Sequence, residues 1–137
     1  MDGEDETGDG GCLCGAVRYK LHAQPFNAGY CHCSLCRHSS GAPVLVFASV
    51  LRKDFEFLRG IPRRHRSSPQ AERLFCGDCG TQLCMLLEHE PDTVDFAVAT
   101  LDDAAAVPPR FHIWHGSRLG WFDTADALPR HPAGRPD

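Results

Sequence analysis

The stretch Cys31-His32-Cys33-Ser34-Leu35-Cys36 places three thiols within six residues, in a C-x-C-x-x-C pattern. A C-x-C pair, Cys12 and Cys14, precedes this stretch, and a C-x-x-C pair, Cys76 and Cys79, follows it. Seven of the eight cysteines therefore fall into three tight clusters. Because thiolates at these spacings chelate metal ions, the sequence predicts that the fold gathers the clusters around zinc.

The composition indicates one domain of moderate size without a strong charge bias. The chain has 137 residues and a formal net charge of −4, which fits a single domain with an apolar core. There is no broad basic excess that would indicate nucleic acid or an anionic membrane surface as the partner. No run of about 18 apolar residues predicts a membrane span. We therefore expect neither a nucleic-acid partner nor a membrane partner.

The first residues bear on the redox state of the cysteines. Residues 1–10 are acidic and polar, and they lack the basic start and apolar centre of a secretory signal. We expect a disordered acidic tail here and a cytoplasmic protein. In a reducing compartment, clustered cysteines are more often metal-binding or catalytic than disulfide-bonded. A disulfide framework is the alternative, because eight is an even number of cysteines.

The remaining sequence favours a mainly β fold. Alternating or apolar runs between glycines and prolines predict strands at residues 17–21, 44–50, 54–58, 81–88 and 95–101. Residues 34–39 predict one or two helical turns, which Gly41 and Pro43 end. Many short strands with such turns are typical of an all-β architecture. We expect the folded domain to span residues 11–130, with residues 131–137 frayed.

The number of clustered cysteines indicates how they are divided between metal ions. Closed structural zinc sites have four protein ligands, whereas catalytic sites commonly have three and an open position. Seven cysteines divide as a four-cysteine site (Cys12, Cys14, Cys76, Cys79) and a three-cysteine site (Cys31, Cys33, Cys36). Spacing leaves another grouping open, in which Cys12 or Cys14 closes the three-cysteine site.

The C-x-C pair requires a bend in the chain. In a flat strand Cys12 and Cys14 would lie about 7 Å apart on one face. Tetrahedral zinc, with Zn–S bonds of about 2.3 Å, needs sulfurs closer than about 4 Å. We expect Gly10, Gly11 and Gly15 to give the backbone the freedom for this bend.

Two further residues compete as ligands. Cys84 stands among Leu83, Met85 and Leu86, which predicts a buried core thiol. His32 lies inside the three-cysteine stretch, but in an extended segment its side chain would point away from the sulfurs.

The predicted open site has a characteristic chemistry. Zinc with three thiolates carries a formal charge of −1 and is a poorer Lewis acid than zinc with three histidines. Because zinc is borderline-soft, such a site suits an exogenous sulfur ligand. Thiol or thiol-adduct chemistry is therefore favoured over hydrolysis.

Several stretches of this sequence resemble the glutathione-dependent formaldehyde-activating enzymes, whose domain is shared with the centromere protein V family. The stretches are Gly11–Tyr19, Cys31–Arg37 with Ser40–Pro43, Phe75–Thr81, Pro91–Thr93, Leu101–Asp103 and His112–Trp114. The resemblance covers about residues 10 to 130. It implies a β-tent fold with two zinc ions, a structural one in the four-cysteine site and a catalytic one in the three-cysteine site.

The implied activity is that of a carbon–sulfur lyase, which joins formaldehyde to glutathione and catalyses the reverse reaction. On this hypothesis Cys31, Cys33 and Cys36 are the catalytic residues. Phe47 and Trp114 are expected to line the substrate pocket.

The remaining assignments concern polar groups and alternative functions. Arg37 and Arg118 are expected to meet glutathione carboxylates, and His32, His38 and His112 are candidate general bases. One alternative is another low-molecular-weight thiol on the same zinc chemistry. A second alternative is a non-enzymatic zinc module that binds a macromolecule.

Overall fold

Ten short strands and one α-helix form the framework of residues 8–136, the part of the chain that the computed structural model describes. The elements are β1 (Asp9–Gly11), β2 (Arg18–Leu21), β3 (Phe26–Cys31), α1 (Ser34–Ser40), β4 (Leu45–Leu51), β5 (Phe55–Arg59), β6 (Arg63–Ser68), β7 (Ala71–Phe75), β8 (Gln82–Leu87), β9 (Thr93–Ala97) and β10 (His112–Ile113). Short 3₁₀ turns lie at Arg52–Asp54, Val98–Thr100, Ala104–Ala106 and His115–Ser117. The predicted mainly β fold class, with short helical turns, is confirmed.

The strands form two sheets. A small sheet has the order β1-β2-β5, and a large one has the order β10-β3-β4-β9-β8-β7-β6. Neighbouring strands are antiparallel, except that β10 runs parallel to β3. Strands β6, β7, β8 and β9 form a meander in which each strand pairs with the next one in the chain. Short turns between strands favour such pairing. No helix within residues 8–136 is both long and apolar enough to cross a membrane.

The small sheet closes one side of the main core through Tyr19. Tyr19 is fully buried, its ring lies 4.9 Å from that of Phe55, and its hydroxyl lies 2.7 Å from Thr100 Oγ1. Gly10 on β1 faces this ring so closely that a Cβ atom there would lie 2.5 Å from the tyrosine oxygen. The alternation predicted for this strand is confirmed, because Tyr19 and Leu21 are both buried.

Strand β4 separates the main core from the metal-binding face. Ala48 and Val50 are fully buried and belong to the main core. Phe47 packs instead with Cys31 and Cys36 in a second, smaller cluster. Because successive side chains of a strand point to opposite faces, β4 supports both sides of the large sheet, as its apolar sequence predicts.

Both predicted chain ends need correction. Strand β1 begins at Asp9, inside the segment predicted as tail, and residues 1–7 lie outside the described part. At the other end, the His131 N–H donates to the His112 carbonyl at 2.9 Å, and the Trp114 N–H donates to the Ala133 carbonyl at 2.9 Å. Residues 131–133, predicted to fray, are therefore held on β10, which would otherwise leave its backbone groups unpaired.

Candidate metal centres and the adjoining cavity

The four-cysteine site joins two turns that are distant in sequence. Cys12 and Cys14 lie on the turn after β1, and Cys76 and Cys79 lie on the turn between β7 and β8. The Cys12 and Cys14 sulfurs are 3.7 Å apart, and the Cys14 and Cys76 sulfurs are 3.8 Å apart. Tetrahedral Zn–S bonds of about 2.3 Å require sulfurs about 3.8 Å apart. These two distances match that requirement, and all four sulfurs lie within 4.8 Å of one another, so the group could hold a zinc ion.

The predicted bend between Cys12 and Cys14 is present. The Gly15 N–H donates to the Cys12 carbonyl at 3.2 Å, and Gly15 adopts a φ of 81°, which glycine reaches without a Cβ clash. The Val17 N–H then donates to Cys12 Sγ at 3.2 Å. Hydrogen bonds of this kind favour the thiolate form that a metal ion requires.

Thr81 links the two turns of the four-cysteine site. Its hydroxyl oxygen accepts from the Leu13 N–H at 3.1 Å and lies 3.2 Å from Cys79 Sγ. The hydroxyl is the main cause that lowers the pKa of Cys79 to about 5. One side chain therefore holds the turns together and stabilises a thiolate.

The three-cysteine site is built where β3 leads into α1. Cys33 is the N-cap residue of α1, and its sulfur accepts from the Cys36 N–H at 3.3 Å. The Cys31 sulfur lies 3.4 Å from that of Cys33 and 3.2 Å from that of Cys36. The helix ends at Gly41 with a φ of 70°, as predicted. Cys33 and Cys36, three positions apart at the start of α1, thus lie on the same face of the helix.

The thiols of this site lose their protons unequally. Hydrogen bonds from the Cys31 and Cys36 thiols, together with the Cys36 N–H, hold the pKa of Cys33 well below its usual range. The pKa of Cys31 is raised by its hydrogen bonds to Cys33 and Cys36 and by burial. Three neighbouring thiolates would repel one another. A metal ion bound to all three offsets this repulsion, because it favours the charged form of every ligand.

All three thiols line a cavity of about 410 Å³ on the second face of the large sheet. This volume is within the range of small-molecule pockets. Aromatic and apolar side chains make up much of the wall; they include Phe47, Met85, Phe111, Ile113 and Trp114. Polar side chains in the wall include Ser49, Arg73, Glu90, Asp95 and Arg135. Within the described residues the ligand group contains three cysteines and no fourth acidic, histidine or cysteine donor. A fourth ligand can therefore come from the cavity.

The two aromatic residues chosen from the sequence, Phe47 and Trp114, do line this cavity. Trp114 adopts the left-handed conformation with a φ of 54°, and its side chain remains 42% exposed. A bulky residue in this conformation is uncommon and costs the fold free energy. The surrounding structure therefore holds the indole over the cavity against a local backbone preference.

The two arginines chosen from the sequence lie elsewhere. Arg37 lines a shallow groove with His38 and Trp121 on another face of α1. Arg118 donates to the His115 carbonyl at 3.1 Å and lies 3.8 Å from an Asp123 carboxylate oxygen. Neither side chain lines the cavity, and their contact with substrate carboxylates stays a prediction.

The candidate bases also lie away from the sulfurs. His32 points to the opposite side, as its place between Cys31 and Cys33 predicts, and its Nε2 lies 2.8 Å from His112 Nδ1. Burial lowers the pKa of His32 to about 4 and also lowers that of His112. His38 is exposed in the groove beside Arg37. None of the three histidines lines the cavity.

Sequence reasoning missed Arg73, which lies against the three-cysteine site. This β7 side chain is 5% exposed, and its NH2 group lies 3.8 Å from Cys36 Sγ. No local sequence signal marks a contact between residues 37 positions apart.

The remaining cysteines settle two of the sequence hypotheses. Cys84 is fully buried opposite Phe96 in the main core, as predicted. All eight cysteines are free, which removes the disulfide alternative.

Comparisons with known proteins agree with this geometry. A sequence model of the family described as "Glutathione-dependent formaldehyde-activating enzyme" matches residues 7–117. A Halomonas elongata protein, provisionally named a glutathione-dependent formaldehyde-activating enzyme, is 32% identical over 94% of this chain and 88% of its own length. An uncharacterized lyase of Schizosaccharomyces pombe is 32% identical over 55% of this chain and 54% of its own length.

A solved structure shares the fold. The crystal structure of a Rhodobacter sphaeroides protein is similar with a TM-score of 0.59 at 29% sequence identity. The similarity covers 74% of this chain and 92% of that protein.

Proposed function

Since this chain belongs to the glutathione-dependent formaldehyde-activating enzyme family, we propose that it is a zinc-dependent carbon–sulfur lyase acting on a thiol–aldehyde adduct. The proposed adduct is S-(hydroxymethyl)glutathione, formed from formaldehyde and glutathione. The observation that supports this proposal best is the three-cysteine site, whose thiols all face one cavity. The proposal includes two zinc ions per chain and a reducing, cytoplasmic setting.

The two metal sites have different proposed roles. The four-cysteine site provides four sulfur donors and would hold a structural zinc that ties β1 to the β7–β8 turn. The three-cysteine site would hold the catalytic zinc through Cys31, Cys33 and Cys36. When bound there, zinc would lower the pKa of an incoming thiol and favour its thiolate.

The reaction makes or breaks one carbon–sulfur bond without oxidation or reduction. In the forward direction the thiol sulfur bonds to the formaldehyde carbon, and the carbonyl electron pair moves to oxygen. That oxygen takes up a proton, and the thiol has released one, so the atoms and charges balance. The apolar side chains of Phe47, Phe111 and Trp114 line the cavity and would limit the access of water to the reacting carbon. The cavity would hold the two reactants together.

Another low-molecular-weight thiol is the second candidate substrate. Arg37 and Arg118, the residues predicted to meet glutathione carboxylates, do not line the cavity. The cavity contains other charged groups, Arg73, Glu90 and Arg135 among them, which do not by themselves select glutathione. A macromolecular partner receives less support, because the open donor set faces a cavity whose volume fits a small molecule.

The test follows hemithioacetal formation from formaldehyde and a panel of thiols, by NMR exchange, with wild-type protein and with Cys33→Ala. We expect wild-type protein to accelerate the reaction and Cys33→Ala to leave it near the uncatalysed rate. Elemental analysis should give two zinc ions per wild-type chain and one per variant chain. Equal rates with both proteins and without protein would exclude the lyase function.

A further inference from the structure

Arg73 is a buried cation that contacts the three-cysteine site. Its Nε donates to Ser67 Oγ at 3.0 Å, and its NH1 group donates to Ser39 Oγ at 3.1 Å. Its NH2 group points to Cys36 Sγ at 3.8 Å. Each of the three guanidinium nitrogens thus has a partner, and the side chain joins β7 to α1 next to the metal ligands.

None of the ion pairs formed within residues 8–136 includes Arg73. A buried charge without a counter-charge costs several kcal/mol, so buried guanidinium groups are normally paired with an anion. The hydroxyl groups of Ser39 and Ser67 are neutral and cannot supply that charge. Among its contacts, only the sulfur of Cys36 can become an anion.

The charges of the occupied site then balance. Zinc with three thiolates has a formal charge of −1, and one guanidinium brings the sum to zero. Without Arg73, an anionic fourth ligand would have to approach a site that is already negative. With Arg73 present, zinc, the three thiolates and the guanidinium together carry no net charge. An anionic fourth ligand then approaches a neutral site, and the Arg73 cation lines the same cavity.

We propose that Arg73 is the counter-charge of the three-cysteine site and that it sets the preference of the open position for an anionic ligand, such as a thiolate. This inference rests on the zinc occupancy in the proposed function but not on lyase turnover. Arg73 acts through the metal site and is therefore a positioning residue. The effect of the Arg73 charge on ligand binding can be separated from that of its hydrogen bonds. Substitution by lysine keeps the positive charge, whereas substitution by glutamine keeps only a neutral polar group.

The test uses the full chain loaded with cobalt(II), whose absorption spectrum reports the fourth ligand. The probes are thiocyanate, an anion, and imidazole, a neutral ligand of similar size. The four-cysteine site has no open position, so spectral changes on titration report the three-cysteine site. The variants are Arg73→Gln and Arg73→Lys, and the matched control is Arg64→Gln, an exposed arginine on β6 that pairs with Glu72 at 3.0 Å.

We expect Arg73→Gln to weaken thiocyanate binding at least tenfold, a lower bound for a nearby unit charge in a partly buried site. Imidazole binding should change by less than threefold. Arg73→Lys should restore most of the thiocyanate affinity, and Arg64→Gln should behave like wild type. Equal losses for both probes would show a packing role and overturn the proposal, as would unchanged thiocyanate binding.

If a variant does not bind both cobalt ions, its metal stoichiometry tests the proposal instead. Loss of one cobalt ion in Arg73→Gln, with both retained in Arg73→Lys, supports the counter-charge. Loss of the same ion in both variants overturns it, because the lysine charge would then have no effect. Normal ligand binding without any acceleration of hemithioacetal formation would contradict the lyase proposal and leave the role of Arg73 intact.

Discussion

His32 Nε2 and His112 Nδ1 lie 2.8 Å apart, and both side chains are fully buried. His112 Nε2 lies 3.2 Å from an Asp126 carboxylate oxygen. Because a carboxylate only accepts hydrogen bonds, His112 donates from Nε2 and accepts at Nδ1. His32 is therefore the donor from Nε2. The chain Asp126–His112–His32 anchors the β3 end at which the metal ligands begin.

The substitution His112→Ala should disrupt this anchor. It removes a buried ring and leaves the His32 N–H without an acceptor, so we expect a loss of about 3 kcal/mol in the free energy of unfolding. Metal affinity at the three-cysteine site should fall as well, because His32 stands between two of its ligands. Urea denaturation and elemental analysis measure the two effects. The control His65→Ala, on exposed β6, should stay within about 0.5 kcal/mol of wild type.

Cysteine substitutions at the two metal sites should have different effects on thermal stability. Cys79→Ala opens the four-cysteine site and should lower the melting temperature strongly, because structural zinc contributes folding free energy. Cys33→Ala should leave the melting temperature closer to wild type and remove one metal ion. Calorimetric unfolding combined with metal analysis distinguishes them. A lower melting temperature for Cys33→Ala than for Cys79→Ala would reverse the assigned roles.

Asp95 should make stability depend on pH. Burial is the main cause that raises its pKa to about 6, against a hydrogen bond from Ser49 Oγ at 2.6 Å. Between about pH 4 and pH 6, Asp95 therefore keeps a proton in the folded state that it releases in the unfolded chain. Its contribution to the free energy of unfolding is lost as the pH rises from about 4 to above 6. Glu90 further raises the Asp95 pKa, and Arg135 opposes this effect.

Asp95→Asn removes this dependence. Relative to wild type, the variant should gain about 2 kcal/mol of unfolding free energy between pH 4.5 and pH 7.5. Cysteine titration and metal loss affect both proteins and cancel in the difference, which urea denaturation measures at each pH. Asp92→Asn, at an exposed position before β9, should differ from wild type by a constant amount. A constant difference for Asp95→Asn as well would contradict the prediction.

Gly29→Ala should alter the cavity through Phe111. A Cβ atom at Gly29 would lie 2.3 Å from a carbon of the Phe111 ring, which lines the cavity. The ring must move, so we expect a loss of about 1–3 kcal/mol in stability and weaker thiol binding to the metal-loaded protein. Calorimetric titration with glutathione measures the binding. At Gly120 a Cβ would meet nothing within 4 Å, so Gly120→Ala is the matched control.

The sequence predicted those parts of the site that depend on local spacing. The cysteines of each cluster are close in sequence, and the number of ligands that zinc requires relates one cluster to another. The position of Arg37 outside the cavity also has a local reason. Cys36 faces inward on α1, and the next residue of a helix points about 100° away from it, so Arg37 faces the groove.

The polar groups of the cavity depend on sheet topology, which the sequence did not predict. Arg73 reaches Cys36 from β7, and Asp95 meets Ser49 across the β4–β9 pair. Predicting these contacts requires the order β4-β9-β8-β7 in the large sheet. The β9 prediction was also too long, because a 3₁₀ turn at Val98–Thr100 follows Ala97.

The sulfurs of Cys14 and Cys76 are 3.8 Å apart in space and 62 residues apart in the chain. During synthesis at roughly 5–20 residues per second, the first pair of thiols leaves the ribosome about 3–12 seconds before its partners. The four-cysteine site therefore cannot close until the turn between β7 and β8 has emerged, whereas the three ligands of the other site emerge together. Strand β1 can pair with β2 early, but its metal link to the β7–β8 turn forms late.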